Sequence, residues 1–183
     1  MRRLIRQMSP SPDQASLFQA WLEEHRGIIV KVTRSFAATP ADAADLQQEM
    51  LLQLWTSLSS YAGQAKPSTW IYRVCLNTAL TWRRGAVRRE KRIEPGADLA
   101  RLPAGTASPA ERAGEEELLD RLYAAIHALP MFDRALILLA LDGLAYREIA
   151  EITGQTENHV GVALMRSRRR LAAQMKGVTD ELE

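Results

Sequence analysis

The sequence predicts an all-α protein: two small helical domains joined by a flexible linker, the C-terminal one a helix-turn-helix. Three observations carry this. Ala and Leu are abundant while aromatic residues make up only 6% of the 183, which favours helices over sheets. Apolar residues recur at threes and fours along most of the chain. Finally, Tyr146 to Leu171 reads as helix, tight turn, helix.

The first helical pattern spans 13–39, where Leu17, Ala20, Trp21, Ile28, Val32 and Phe36 share a face. Thr39-Pro40 starts a second helix, over about 40–60, with Thr39 as N-cap, Pro40 at the first helical position and Asp42 complementing the N-terminus. Projected at 100° per residue, Met50, Leu51, Leu54, Trp55 and Leu58 fall on one broad face. Asp42, Asp45, Gln48 and Glu49 fall on the other, and Leu52 lands among them, an apolar residue with no core to face.

Ser60 to Pro67 is a loop by its Gly, Pro and small polar content. Ser68 or Thr69 is the expected cap of a third helix that runs to about Arg92. That helix starts aromatic (Trp70, Tyr72, later Trp82) and ends basic, with Arg83, Arg84, Arg88, Arg89, Lys91 and Arg92 against the single carboxylate Glu90. Pro95, Gly96, Pro103 and Gly105 mark a linker. Ser108-Pro109-Ala110-Glu111 has the form of a capping box and opens a helix to about Leu129. Pro130 to Leu141 makes the next, broken by Asp142-Gly143.

The C-terminal motif makes specific physical demands. Two helices that cross closely need a small residue, supplied by Ala150. The turn needs a residue tolerant of positive φ, supplied by Gly154. The second helix must bury apolar residues against the first, and Val160 and Leu164 sit at that offset. Thr156 caps this helix, leaving Glu157, Asn158, His159, Val162 and Ala163 as base-facing positions, with Arg166, Arg168, Arg169 and Arg170 near phosphates. Gly161 either lets the backbone approach DNA closely or is merely tolerated. The plain alternative is a helical hairpin with a solvated charge run.

Bulk properties exclude several classes. The formal net charge is only +2, so a nucleic-acid partner must be argued from where the charges lie. Cys75 is the single cysteine and the histidines (His25, His127, His159) are far apart, which leaves no disulfide and no zinc spacing. Cys75 is expected to be a small buried residue. There is no paired catalytic constellation or phosphate-cradling Gly loop, so neither an enzyme nor a cofactor is expected. The basic N-terminus lacks a following apolar stretch and no run reaches a membrane span, so a cytoplasmic protein without membrane insertion is expected.

Asp45 to Trp55 (DLQQEMLLQLW), Thr69 to Asn77 (TWIYRVCLN) and the C-terminal motif, in this order and spacing, resemble an extracytoplasmic-function (ECF) sigma factor of the sigma-70 superfamily. Region two of that family would cover 13–92, a linker 93–109, and region four 110–176. The resemblance implies a transcription initiation factor that binds core RNA polymerase and directs it to promoter DNA. Asp45, Gln48, Glu49 and Leu52 would dock on the polymerase clamp, whereas Trp55 is better read as core. Tyr61, Tyr72 and Asn77 would form a base-capturing pocket for −10 melting, since an unstacked base needs aromatic and hydrogen-bonding walls. Arg83, Arg84 and Arg88 would track the phosphates there, with Arg73 a weaker candidate. Thr156, Asn158, His159, Val162, Arg166, Arg168 and Arg169 would serve −35 recognition. The family often has a Thr-Val-Lys-Ser-Arg-like run in this helix; here the chain has His159 to Ala163, with Gly161 and Ala163 at two expected basic positions, so weaker phosphate anchoring is expected. The resemblance also implies an anti-sigma factor as partner, although no residue marks one. A stand-alone helix-turn-helix regulator would explain the C-terminal motif but not the acidic helix with Leu52. A helical interaction module with no nucleic-acid role would predict no salt-dependent retention on DNA.

Overall fold

The computed structural model describes residues 12–90 and 109–179. Lys91, Arg92, the cap Ser108 and the expected linker up to residue 108 lie outside the described residues. The described residues form seven α-helices: α1 Pro12–Phe36, α2 Pro40–Leu58, α3 Pro67–Glu90, α4 Pro109–His127, α5 Met131–Leu141, α6 Tyr146–Thr153 and α7 Glu157–Thr179.

In the N-terminal half α1, α2 and α3 pack on one another. α1 ends at Phe36, short of the expected residue 39, because Thr39 is taken by the start of α2. The Thr39 Oγ1 accepts from the Asp42 N–H at 3.1 Å, and the Asp42 carboxylate accepts from the Thr39 N–H at 3.2 Å. Each satisfies a donor that the first helical turn leaves open. α2 buries Ala43, Leu46, Met50, Leu54 and Leu58, one stripe at helical spacing. Burying a Leu or Met side chain contributes about 1.5–3 kcal/mol each. Leu51, expected on that face, is 36% exposed. With α1 and α3 as its packing partners, α2 needs only a narrow stripe, and Leu51 lies at its edge. α3 begins at Pro67, so neither Ser68 nor Thr69 is its cap; the Trp70 N–H already bonds the Lys66 carbonyl at 3.0 Å and Thr69 is buried.

In the C-terminal half α5 has five consecutive buried residues, Ala135 to Leu139. A helix apolar all round must be surrounded, and α5 packs on α1, α4, α6 and α7. It starts at Met131 with Pro130 as its N-cap. Gly143, at φ 75°, breaks the chain after it.

The two halves pack together, α1 on α4 and α5, α3 on α6, and one buried apolar cluster runs through both. Polar side chains line the seam. Arg34 pairs with Asp120 at 2.9 Å and lies 4.1 Å over the Tyr123 ring. His127 Nε2 meets the Arg34 carbonyl at 2.8 Å, and its Nδ1 faces Arg134 Nη1 at 3.5 Å. An Nε2–H tautomer satisfies both, donating to the carbonyl and accepting from the guanidinium. Burial first, then the nearby Arg134 and Arg83 charges, holds the His127 pKa below its ordinary value against the opposing pull of the Arg34 carbonyl.

Candidate nucleic-acid interface

The helix-turn-helix follows from local chemistry. Gly154 adopts φ 68°, the left-handed conformation that costs other residues strain, and its N–H bonds back to the Ala150 carbonyl. Thr156 Oγ1 accepts from the His159 N–H at 3.2 Å and so caps α7. Ile149, Ala150 and Ile152 of α6 are buried, as are Val160, Ala163, Leu164 and Ser167 of α7. Ala163 is therefore turned into the core, not toward bases as expected. Its neighbour Val162 is 48% exposed. Glu157, Asn158, His159, Arg166, Arg168 and Arg169 are exposed along the same helix. His159 also makes an edge contact to Phe132 of α5, with ring centroids 6.2 Å apart. Arg170 differs from the other arginines, because its guanidinium is paired with Asp133. Gly161 faces the Tyr146 ring: a Cβ there would meet the ring at 3.4 Å. That is an ordinary contact, so the crossing of α6 and α7 does not require a glycine at this position.

On α2, Leu52 is 49% exposed beside exposed Asp45 and Gln48. Glu49 is half-buried and accepts from Gln53 Nε2 at 2.9 Å. Trp55 is half-buried with its ring edge-on to Phe18 at 5.0 Å.

The three residues expected to share a pocket have three different surroundings. Tyr61 sits in the loop before α3, donates its hydroxyl to the Ala65 carbonyl at 2.5 Å, and makes edge contacts to Trp21 and Trp70 at 4.9 and 5.6 Å. Asn77 is exposed and opens on a groove between α2 and α3, lined also by Glu49, Gln53, Thr78, Thr81 and Trp82. Tyr72 is 3% exposed, and its hydroxyl donates to the Asp142 carboxylate of the other half. The 100° step of a helix explains the split between Tyr72 and Asn77, which lie five positions apart on α3 and so point to well-separated faces. Arg84 is exposed and Arg83 half-buried, near His127 and Arg134. The side chain of Arg88 lies outside the described residues.

Sequence reasoning missed a row of carboxylates. Asp142 also receives Lys31 Nζ at 2.5 Å. Glu148 pairs with Lys66 at 3.0 Å, and Glu151 with Arg73 at 3.4 Å. The Glu148 pKa is lowered, chiefly by the hydrogen bond from Lys66 and then by the one from the Ala145 N–H. Glu148 also accepts from the Ala145 N–H at 3.1 Å, a local contact, while its partner Lys66 lies 82 residues away and was not legible in the sequence.

No group of three or more metal-ligating side chains comes together among the described residues, and none of their helices is long and apolar enough to cross a membrane. Cys75 is buried, and burial pushes its thiol pKa up to about 12.

Two family models match the chain: sigma-70 region 2 over residues 21–89, and sigma-70 region 4 over residues 119–171. The chain is 30% identical over 168 residues to the ECF RNA polymerase sigma factor SigE of Mycolicibacterium smegmatis, covering 87% of this chain and 62% of that protein. It is 27% identical over 195 residues to the ECF RNA polymerase sigma factor SigG of Mycobacterium tuberculosis, covering 94% of this chain and 52% of that one. The chain thus spans between half and two thirds of the length of these relatives. Among solved structures, the sigma factor RpoE in complex with the anti-sigma factor NepR from Bartonella quintana shares the fold, with a TM-score of 0.66 and 20% identity over 91% of this chain and 98% of that one. With a region 2 unit and a region 4 unit in the family's order, a helix-turn-helix in the second, and both spanned by ECF relatives, the chain belongs to the sigma-70 family as an ECF member.

Proposed function

We propose that this protein is a bacterial transcription initiation factor that binds core RNA polymerase and directs it to promoters. Residues 13–92 act as region two and 110–176 as region four. The observation that carries the reading is Leu52, 49% exposed on α2 among Asp45, Gln48 and Glu49, on the side of α2 away from its buried stripe. An isolated apolar side chain ringed by polar ones fits the centre of a docking patch, where burial gives affinity and the carboxylates steer a basic partner.

The −35 element is read from the exposed edge of α7 by Asn158, His159 and Val162, with Thr156 fixing the helix start and Arg166, Arg168 and Arg169 on phosphates. The −10 element meets α3 and the loop before it. Asn77, exposed beside Trp82, offers a donor and an acceptor to a base edge, Tyr61 in the loop before α3 supplies an aromatic surface, and Arg83, Arg84 and Arg88 follow the backbone, whereas Tyr72, buried against Asp142 on another face, takes no part. By likeness to the NepR complex, a second partner is an anti-sigma factor. The site of action is the cytoplasm, where polymerase works.

Co-purification with bacterial core RNA polymerase, followed by run-off transcription from a genomic promoter library, tests this reading. Association together with new discrete start sites is expected. Binding to intact duplex with no polymerase association would instead establish a stand-alone helix-turn-helix regulator.

A further inference from the structure

The open side of α7 is chemically unlike a solvated helix face. Projected at 100° per residue, Asn158, Val162, Met165, Arg166 and Arg169 fall within an arc of about 100°. The buried residues Val160, Ala163, Leu164 and Ser167 lie on the far side of the helix. All five residues of the arc are exposed. Val162 and Met165 are three positions apart and so adjacent on the surface, and they are 48% and 50% exposed. Both shoulders of the arc are occupied by the protein itself. On one, His159 meets Phe132 and Arg170 pairs with Asp133; on the other, the Tyr146 ring lies against Gly161. Glu157 projects outside the arc, which leaves an apolar pair framed by one amide and two guanidinium groups.

The arginines call for a polyanion, and the apolar pair narrows what that polyanion must present. The major groove of duplex DNA shows hydrogen-bonding groups at every base pair but only one apolar group, the C5 methyl of thymine. A guanine or cytosine edge pressed against Val162 loses water without gaining a hydrogen bond, whereas a thymine methyl meets a surface of its own kind. We propose that Val162 and Met165 form an apolar reading pair that selects thymine in the −35 major groove through its C5 methyl group. The inference rests on the sigma-factor reading and names the base chemistry that its −35 helix selects. The two side chains divide the work. Val162 is β-branched and held to one rotamer in a helix, so it fixes where a methyl must lie; Met165 is unbranched and adapts to a neighbouring one. Asn158, one turn ahead of Val162, offers the donor and acceptor that match adenine N7 and N6, so the whole arc favours A·T pairs. Arg166 and Arg169, further along the helix, hold it to the phosphates without adding sequence preference.

The test uses holoenzyme assembled from the full chain and core polymerase, and a duplex promoter library randomised across the −35 window. In the selected sequences each thymine of the window is replaced, one at a time, by uracil, which pairs identically but lacks the methyl. At one or two positions uracil should weaken holoenzyme binding about fourfold, the worth of one buried methyl group. Val162→Ala and Met165→Ala should each abolish the thymine–uracil difference at one of those positions and leave the other intact. Because no charge is removed, neither should alter the slope of log affinity against log salt. Both side chains are half exposed, so circular dichroism and thermal unfolding should stay unchanged and separate a reading role from a structural one. Equal binding of thymine and uracil duplexes at every position overturns the inference. Discrimination that survives in both variants overturns the assignment to this pair, and loss of polymerase association in either variant gives the pair to a protein contact instead. Failure of the unmodified chain to associate with polymerase counts against the sigma-factor reading. The same library offered to the chain alone then decides the methyl contact, and absence of any selected duplex there overturns the inference too.

Discussion

At the scale of single residues, positions that are ordinary in sequence acquire distinct roles from one or two neighbours. Gly161 sits in mid-helix, where glycine costs about 1 kcal/mol relative to alanine. The space above it ends at the Tyr146 ring, 3.4 Å from where a Cβ would lie, which is an ordinary contact. Gly161→Ala should therefore raise stability by about 0.5–1 kcal/mol in urea unfolding, with α6 and α7 still crossing. Gly154 behaves oppositely. At φ 68° any other L-residue is strained, so Gly154→Ala should destabilise the C-terminal half by about 1 kcal/mol. Asn77 is exposed on its groove and carries no structural load, so Asn77→Ala should weaken promoter opening more than promoter recruitment. Permanganate footprints checked at equal polymerase occupancy would show this, and an unchanged bubble would remove the base-contact role. The sequence made Gly154 and Thr156 readable because their partners lie within a few residues. It could not make Tyr72 readable, because whether an aromatic at the start of α3 faces DNA or the protein depends on Asp142, 70 residues away.

At the scale of elements, α2 and α7 each present two chemically separate faces, and substitutions on them should separate accordingly. Leu52→Asp with Glu49→Lys changes only the outward side of α2. Polymerase association should be lost while thermal unfolding shifts little, since Leu52 is half exposed. Leu46→Ala, on the buried stripe of the same helix, should cost about 2–5 kcal/mol in stability. On α7, Arg168→Ala with Arg169→Ala should weaken binding about equally across −35 sequences and lower the slope of log affinity against log salt by about 2. A loss confined to one base position would assign these arginines to base reading instead. Arg170, tied to Asp133, should contribute less to that slope. The start of α2 was legible down to its cap, because Thr39 and Asp42 are three residues apart and the geometry of a first helical turn is fixed. The width of its buried stripe was not. Leu51 projects onto the apolar arc, and only the number of helices that pack against α2 decides that it stays outside.

At the scale of the whole molecule, the two units and their order were readable. The way they pack was not, since the seam is lined by Lys, Arg, His, Asp and Glu side chains that in sequence read as solvated surface. Arg34 meets Asp120 across 86 residues, and Lys31 meets Asp142 across 111. His127 gives this seam a pH dependence. Its pKa is lowered in the packed state, so below the ordinary histidine range the unpacked state takes up the proton more readily. Stability is therefore present at neutral pH and declines as pH falls through the ordinary histidine value toward the lowered one. Replacing the imidazole by His127→Gln should flatten that decline between about pH 7 and 5 in urea titrations. Glu148 acts in the same direction at lower pH: its pKa is depressed, so its pairing with Lys66 is present above the ordinary carboxylate range and lost as pH falls through the depressed value.

All four tryptophans, Trp21, Trp55, Trp70 and Trp82, lie in the N-terminal half, and two of them meet the Tyr61 ring. Red-edge excited emission therefore reports that half alone, while far-ultraviolet dichroism reports every helix. Melting curves from the two probes will coincide if the halves unfold as one cooperative unit and diverge if region four lets go first. The same emission makes the loop before α3 an optical reporter in its own right. Any strand that draws Tyr61 away from Trp21 and Trp70 will change their surroundings, so engagement of the loop can be timed in a stopped-flow mixer on unlabelled protein.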